Sequence, residues 1–346
     1  MASIPSSFLD GLDPQARELL LSVSMPVSFL PGATLVRHGE PARGAYVIRE
    51  GTAEAEVTLP GGEKLVVAKL GSGGAFGEMA LVELGTCTAT VRATSPVDGW
   101  FVANEDFRAL VSQRIPAAAQ LQHAVTSLLA GKVAALNAQL LACPAPEDRT
   151  ARALPCGVDP LAKSARSRHT AFDAAAFLPR LPLFEHFTAG EIDEFASAGS
   201  FIEVARGAGV FASECPATSA FVVVRGAVEI VHLAGGRERR MAVLGPGQLF
   251  GYLAVLNERA HVPHAIARES SLLLDIPASA FRELYFGERS VSTRLRAAVQ
   301  KSLLASMART NRALTRLLSQ AKLESATREG KALEAAYHGQ LTATGD

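Results

Sequence analysis

The sequence is poor in cysteine and tryptophan, has no excess of either charge and lacks any uninterrupted apolar run of eighteen residues. Four cysteines in 346 residues, with no Cys-x-x-Cys pair, are too few for a disulfide framework and do not predict a metal site. The 34 basic and 34 acidic residues balance, which excludes a protein whose whole surface grips nucleic acid or anionic lipid. The short apolar runs argue against a membrane span, and residues 1–10 do not look like a secretion signal. We therefore expect a cytoplasmic protein.

The chain contains an internal repeat. Residues 68–77 match residues 242–251 at six positions, all at an offset of 174. Further upstream the offset is 175, where Gly32, Ala33 and Gly51 recur as Gly207, Ala208 and Gly226. One residue was therefore gained or lost between the two sets of matches. The constant order of these matches predicts a tandem duplication of one module.

Each copy of the module has a strand pattern that a glycine interrupts. Alternating apolar and polar residues occupy 46–51 and 53–57 in the first copy, and 221–226 and 228–231 in the second. Glycines in 60–62 and 235–236 stand where hairpin turns are expected. Many short strands separated by glycine turns favour a closed, two-layered β-roll.

Helical patterns flank each predicted roll. Asp13 before Pro14 predicts a helix start, and Thr188 with Glu191 has the spacing of a capping box. We also expect helices over residues 117–141 and over most of 281–337. The predicted fold class is α+β, with two tandem antiparallel β-rolls (jelly-roll-like), flanking helices and a long C-terminal helix. The predicted parts are a first domain over 1–142, a proline-rich linker over 143–170, a second domain over 171–300 and a basic helical extension over 301–346.

The repeated segments resemble the cyclic-nucleotide-binding domain family, which includes catabolite-activator-type bacterial regulators and the regulatory subunit of cAMP-dependent protein kinase. The resemblance is carried by Pro31-Gly32, Gly39-Glu40, residues 46–51, Phe76-Gly-Glu-Met-Ala-Leu81 and Ala89-Thr-Val-Arg-Ala93. The tandem arrangement is more similar to the kinase regulatory subunit. The resemblance implies a bacterial signal-transduction protein that binds cAMP, cGMP or a related nucleotide and needs no other cofactor.

The resemblance also implies a ligand site in the first copy. In the family, a short helix after Phe-Gly-Glu holds the cyclic phosphate, and the Glu accepts a hydrogen bond from the ribose 2′-hydroxyl. An Arg at the far end of this cassette pairs with the phosphate. The helix positions are Gly77, Glu78, Met79 and Ala80, and Glu78 is the ribose-binding acid.

The first copy departs from the family pattern at the arginine. Cys87 stands at that position, and Thr88 follows it. The loss of a charged hydrogen bond predicts about 10- to 100-fold weaker binding of a phosphate anion. Arg92 is an odd number of residues away, so we expect it on the opposite face of its strand. The sequence shows no evident replacement cation, which favours a ligand that depends little on its phosphate.

The second copy departs further from the pattern. Its cassette begins at Gly251, but the Glu position holds Tyr252 and the Arg position, aligned without gaps, holds His261. We interpret this as a degenerate second site in which Tyr252 stacks over the cassette or fills the pocket. His261 and His264 could act as a protonation switch, since histidine titrates near neutrality, or could be solvated loop residues.

The C-terminal helix is basic. Between residues 289 and 331 there are ten Lys and Arg against two Glu. An imperfect heptad seam runs through Leu303, Met307, Thr310, Leu314, Leu317 and Ala321. This pattern fits a helix for self-association or a protein partner, and equally a helix that packs on a roll with a solvated basic face. DNA binding is not expected, because no helix-turn-helix pattern follows the second roll.

These features bear on three classes of function. The first is a cytoplasmic sensor that binds a nucleotide in the first roll and relays binding by movement of the helix at 117–141. The second is an adaptor with degenerate sites that acts through protein contacts. An enzyme is not expected, since no nucleophile–base or paired-carboxylate pattern stands out. The intact 76–81 segment favours the sensor, whereas Cys87, Tyr252 and His261 favour the adaptor.

Overall fold

The computed structural model describes residues 8–9, 11–58, 64–113, 115–143, 149–150, 154, 174–234, 236–323 and 335–336. The chain divides into two compact units. The first comprises Met1–Cys143 together with Leu303–Asp346, and the second comprises Pro144–Ser302. Each unit is built around one antiparallel β-roll with flanking helices, as the sequence predicts. Most of the predicted linker at 143–170 lies outside the described residues.

The roll of the first unit consists of two four-stranded antiparallel sheets. One sheet has the order β1 (Ser24–Phe29), β8 (Val97–Ala103), β3 (Gly44–Glu50) and β6 (Ala75–Phe76). The other has the order β2 (Thr34–Val36), β7 (Thr90–Ala93), β4 (Ala53–Thr58) and β5 (Lys64–Leu70). The core between the sheets includes Leu35, Ile48, Phe76 and Val91.

Strand β7 shows how alternation separates the two faces of its sheet. Val91 and Ala93 are buried in the core, whereas Arg92 between them points outward. The Arg92 Nε lies 3.6 Å from the Glu56 Oε2 on the neighbouring strand β4. Arg92 thus lies on the outer face of its strand, opposite the buried Val91 and Ala93.

Four helices accompany the first roll: α1 (Pro14–Ser22), α2 (Met79–Val82), α3 (Asn104–Ser112) and α4 (Pro116–Ala142). Helix α1 begins as predicted, with the Asp13 carboxylate accepting a hydrogen bond from the Ala16 N–H at 2.7 Å. Helix α4 contacts both α1 and α3.

Helix α4 is mostly apolar, and its polar side chains, among them Gln122, Thr126 and Lys132, are not gathered on one face. By length and composition alone it would be able to cross a membrane, a test that buried helices of water-soluble proteins also pass. The short apolar runs of the sequence argue against a membrane span, but the composition of this helix does not exclude one. Part of the helix packs into the interior of the protein, because Leu121, Val125 and Leu129 are fully buried.

The second unit repeats this arrangement. One sheet has four strands, in the order β10 (Ser200–Val204), β17 (Ser271–Pro277), β12 (Ser219–Arg225) and β15 (Leu249–Phe250). The other has five strands, in the order β11 (Gly209–Phe211), β16 (His264–Ala267), β13 (Val228–Ala234), β14 (Arg237–Leu244) and β9 (Arg149–Thr150). Its helices are α5 (Ala174–Phe177), α6 (Ala189–Ser197), α7 (Tyr252–Leu256), α8 (Ala278–Phe286) and the beginning of α9 (Ser290–Leu323), with 3₁₀ turns at Leu178–Arg180 and Pro182–Phe184. The predicted capping box of Thr188 and Glu191 is present at the start of α6.

The repeat is visible in the backbone as well as in the sequence. Gly51 and Gly226 follow the equivalent strands β3 and β12, and their φ angles are +97° and +90°. A Cβ at Gly51 would lie 1.9 Å from the Pro96 carbonyl oxygen, and one at Gly226 would lie 2.8 Å from the Ser270 carbonyl oxygen. Only glycine fits such a position without strain, which explains why both copies carry it.

The C-terminal helical region has one short break within the described residues, in agreement with the prediction of helices over most of 281–337. Residues 287–289 separate α8 from α9. Arg296 of α9 is 3% exposed, and its Nη1 donates across this break to the carbonyl oxygens of Tyr285 at 2.7 Å and Gly287 at 3.0 Å. Arg296 therefore belongs to the interior and not to the solvated basic face.

The predicted heptad seam is covered within the first unit for most of its described length. Leu303, Met307, Thr310 and Leu314 are buried, and the Thr310 hydroxyl donates to the Asn137 Oδ1 of α4 at 3.0 Å. Leu317 is half-buried. The side chain of Ala321, and the predicted helix beyond Leu323 except at residues 335–336, lie outside the described residues.

The cysteines are in two states. Cys87 and Cys143 are free thiols, whereas Cys215 is disulfide-bonded. Cys156 lies outside the described residues. The chain therefore contains a disulfide at Cys215, which the sequence did not predict.

Candidate nucleotide site

The cassette of the first roll is positioned by a glycine turn between β6 and α2. Gly77 has a φ of +75°, and a Cβ there would lie 2.5 Å from the Gly44 carbonyl oxygen of β3. The turn directs the chain into α2, where Ala80 is buried. The amide of Asn104, the first residue of α3, donates to the Ala80 carbonyl oxygen. The cassette is therefore held tightly against both β3 and α3.

Glu78, the predicted ribose-binding acid, is buried at 3% exposure. The Lys132 Nζ lies 2.7 Å from the Glu78 Oε2 and also donates to the Ala75 carbonyl oxygen at 3.0 Å. Lys132 belongs to α4. The acid of the first cassette is thus neutralised by an ammonium group from the helix that ends the module.

The sequence did not identify Lys132 as a partner of Glu78. The structure places its ammonium group within hydrogen-bond distance of the Glu78 carboxylate. A signal for it was present. Lys132 is the only Lys, Arg, Asp or Glu in the 27 residues of α4, and an isolated charge in an apolar helix calls for a buried partner.

Cys87 and Thr88 lie at the other end of the cassette. Cys87 is half-buried, and burial followed by the Glu40 carboxylate raises the pKa of its thiol. Thr88 is exposed, and its hydroxyl donates to the Met79 Sδ at 3.9 Å, which brings it to α2. The structure therefore brings Gly77, Glu78, Met79, Ala80 and Thr88 together around α2.

Cys87 and His261 occupy equivalent backbone positions. The Cys87 N–H donates to the Glu40 carbonyl oxygen and the Cys87 carbonyl oxygen accepts from the Gly39 N–H, both at 2.8 Å. In the second roll the His261 N–H donates to the Cys215 carbonyl oxygen at 2.9 Å, and the His261 carbonyl oxygen accepts from the Glu214 N–H at 2.7 Å. This matched pair of bonds supports the alignment without gaps that placed His261 at the arginine position.

His261 is packed inside the second roll. Its ring is 4% exposed and stacks on Phe211, with 3.7 Å between centroids and 7° between planes. Burial lowers the pKa of His261 to about 4, so the ring is neutral at neutral pH. The prediction that His261 acts as a protonation switch near neutral pH is therefore wrong. The alternative of solvated loop histidines is also wrong, because His264 is buried too and its Nδ1 accepts from the Ser213 N–H at 2.8 Å.

Tyr252 fills the place of the acid in the second roll. It follows Gly251, whose φ is +78°, and begins α7 with 6% of its surface exposed. Its hydroxyl donates to the Ser302 Oγ of α9 at 3.2 Å. The second cassette thus holds a buried tyrosine, bonded to α9, at the position where the first cassette holds its acid.

The acid position has a common feature in the two rolls. In each case the side chain bonds to the long helix that follows its own roll, Glu78 to α4 and Tyr252 to α9.

Within the described part of the chain, no group of three His, Cys, Asp or Glu side chains could hold a metal ion.

Comparison with known proteins agrees with this geometry. The profile of the cyclic nucleotide-binding domain family matches residues 26–114 and 201–288, together just over half of the chain. The Cyclic AMP receptor protein of Thermus thermophilus is 30% identical over 151 residues, which are 43% of this chain and 68% of that protein.

Two further relatives match over different lengths. A putative potassium channel protein of Rhodopseudomonas palustris is 33% identical over 127 residues, 36% of this chain but only 30% of that protein. The structure of the regulatory domain of Toxoplasma gondii PKA with cAMP is 20% identical, covers 88% of this chain and 93% of that one, and has a TM-score of 0.32. Because the family profile matches twice and each match corresponds to one roll, the chain belongs to the cyclic nucleotide-binding domain family and carries two tandem copies of the domain.

Proposed function

We propose that the chain is a non-enzymatic regulatory protein whose first roll senses a cyclic nucleotide or a related nucleotide. The observation that carries the proposal is the ion pair between Glu78 and Lys132. It joins the residue expected to hold the ribose directly to helix α4. A ligand that bonds to Glu78 therefore changes the contacts of α4 in the same step.

The relay follows from the energetics of this pair. Glu78 is buried, and its carboxylate cannot exchange partners without a change in the position of Lys132. A ligand shifts α4 only to the extent that it binds one position of the helix better than another. A sugar hydroxyl donating to Glu78 supplies such a difference, because it bonds to the same carboxylate that holds Lys132 of α4.

Isothermal titration of the full chain with cAMP, cGMP, a cyclic dinucleotide and adenosine tests the proposal. We expect saturable binding of at least one of these ligands, and its loss in Glu78→Ala. Tyr252→Phe is the matched control, because it removes a polar group at the equivalent position of the second roll. Equal loss of binding in Tyr252→Phe, or no binding by the wild type, would contradict a sensor in the first roll.

A second candidate function is an adaptor that acts without a ligand. The packing of the second roll favours it, since Tyr252 and His261 are both buried where a ligand would bind. The heptad seam is covered, so a partner or a second copy would have to contact the exposed basic side of α9, which includes Arg312 and Arg316. Sedimentation of the wild type and of Arg312→Glu/Arg316→Glu would measure self-association through this surface.

The cytoplasm remains our proposed location. The disulfide at Cys215 is the feature that fits a reducing compartment least. Alkylation of free thiols in intact cells, followed by mass spectrometry, would measure the oxidised fraction of Cys215. A mainly reduced Cys215 would support the cytoplasm, whereas a fully oxidised one would place the protein in an oxidising compartment.

A further inference from the structure

We propose that Lys132 is the phosphate-binding cation of the first site, so that this site selects an anionic nucleotide over a neutral nucleoside. The inference rests on the proposed function, because it names the ligand class of the same site. It reverses the expectation from Cys87 that the ligand depends little on its phosphate.

The position of the ammonium group is the first argument. The Lys132 Nζ lies 2.7 Å from the Glu78 Oε2 and 3.0 Å from the Ala75 carbonyl oxygen. In a 3′,5′-cyclic nucleotide the 2′-hydroxyl and the phosphate are carried by adjacent carbons of one ribose. A nucleotide whose 2′-hydroxyl bonds to Glu78 therefore brings its phosphate close to Lys132.

The donor capacity of the ammonium group is the second argument. A lysine has three N–H donors, and the contacts described for Lys132 use two of them. The third can be donated to a phosphate oxygen while Glu78 and Ala75 keep their bonds. The Lys132 side chain is 29% exposed, against 4% for Glu78, so a ligand can reach it from solvent.

The surrounding charges are the third argument. Helix α4 carries no Asp, Glu or Arg, so Lys132 is its only strong charge. Burial and then the Glu40 carboxylate raise the pKa of the Cys87 thiol, which keeps that position uncharged. An anion bound beside Lys132 thus meets the ammonium group and the Glu78 carboxylate paired with it, but no thiolate, and the bond it accepts from Lys132 is charge-assisted.

The test compares cAMP with adenosine, which has the same base and sugar but no phosphate. Isothermal titration is performed on the full chain as wild type, Lys132→Met and Lys132→Arg. We expect the wild type to bind cAMP about 10- to 100-fold more tightly than adenosine. Lys132→Met reduces this ratio towards one, whereas Lys132→Arg retains most of it.

Four results would overturn the inference. An equal loss of affinity for both ligands in Lys132→Met would make Lys132 a positioning residue for Glu78 only. Tighter binding of both ligands would make it an internal competitor. A wild-type ratio near one would exclude phosphate recognition while leaving the sensor intact, and absence of all binding by the wild type would end both proposals.

A measurement on the wild type alone guards against misfolding of the variants. Salt screens a charge–charge contact at a partly exposed lysine. Between about 50 and about 500 mM salt, we expect the affinity for cAMP to fall several-fold more than that for adenosine. Equal salt dependence of the two ligands would also overturn the inference.

Discussion

Glu78 and Lys132 are separated by 54 residues in the sequence, yet the Oε2 of one lies 2.7 Å from the Nζ of the other. The acid is almost fully buried and the ammonium group is only partly so. The pair links the nucleotide cassette of the first roll to α4 by a charged contact rather than by apolar packing. It therefore bears on the stability of the first unit as well as on its proposed ligand.

Removal of the acid is expected to destabilise the first unit. Glu78→Gln keeps the shape of the side chain but leaves Lys132 without its counter-charge. Breaking one side of a buried pair lowers the free energy of unfolding by about 3–5 kcal/mol. Because Lys132 is partly exposed, we expect a loss of about 2–3 kcal/mol here. Chemical unfolding followed by circular dichroism measures the change.

An exposed pair in the same unit provides the control. Glu40→Gln removes the partner of Arg37, and both of these side chains are more than half exposed. Such a pair contributes about 0–1 kcal/mol. If the two variants lose equal stability, the Glu78–Lys132 pair is not the strong contact that its burial indicates.

Restoration of the missing arginine is expected to strengthen the first site. Cys87→Arg places a guanidinium group at the half-buried position where the family carries one. We expect about 10-fold tighter binding of cAMP and little change for adenosine, since the gain comes from the phosphate. Titration calorimetry with both ligands measures this difference.

The same substitution in the second roll has a different expected result. His261→Arg would replace a ring that is stacked on Phe211 and 4% exposed. We expect a lower melting temperature of the second unit without gain of binding, because a charge would be buried without a partner. Gain of cAMP binding by this variant would show that the second cassette is open.

Stability of the second unit is expected to fall in mild acid. Burial lowers the pKa of His261 and of His232 to about 4, whereas the unfolded chain binds a proton on each ring below about pH 6.5. Between these two values the unfolded state holds more protons, so lowering the pH through this window favours unfolding. His261 contributes about 3 kcal/mol to this loss.

The variant His261→Phe tests the assignment. It keeps an aromatic ring against Phe211 and removes the titrating group, so the dependence of stability on pH between about 6.5 and about 4 should become shallower. The slope that remains comes from His232. Denaturant titrations at several pH values measure it, and an unchanged slope in His261→Phe would contradict the pKa of about 4.

Arg296 is expected to be essential for the break between α8 and α9. Arg296→Met leaves the buried carbonyl oxygens of Tyr285 and Gly287 without this donor, at a cost of about 2–4 kcal/mol. Arg312→Met on the same helix is the control, since Arg312 is exposed and its loss should change stability by less than about 0.5 kcal/mol. Thermal unfolding of both variants measures the difference, and equal melting temperatures would be inconsistent with a structural Arg296.

Much of the fold could be predicted because its signals are local. Gly51 and Gly226 mark equivalent positions in the two copies, and the cap at Asp13 and the capping box at Thr188 are encoded within four residues. Alternation placed Arg92 on the outer face of its strand. Each of these features depends on a few neighbouring residues, so no knowledge of tertiary contacts was needed.

The contacts of the candidate site could not be predicted in the same way. Lys132 meets Glu78 across 54 residues, and the ring of His261 meets Phe211 from a different strand. Arg296 was counted with a basic surface because its sequence neighbours do not reveal that two backbone carbonyls need its guanidinium group. Such partners are chosen by tertiary packing, which a single sequence does not display.

The lone charge of α4 also determines how that helix can be seated. Apolar packing is non-directional, so a mostly apolar helix could bury similar areas in several rotational settings. A slip of one residue turns the side chains of an α-helix by about 100° and moves them about 1.5 Å along its axis. Either change would carry the Lys132 Nζ out of reach of Glu78 and Ala75. Together with the hydrogen bonds of Gln120 to Asp13 and of Asn137 to Thr310, Lys132 thus fixes the rotation and the axial position of the whole helix.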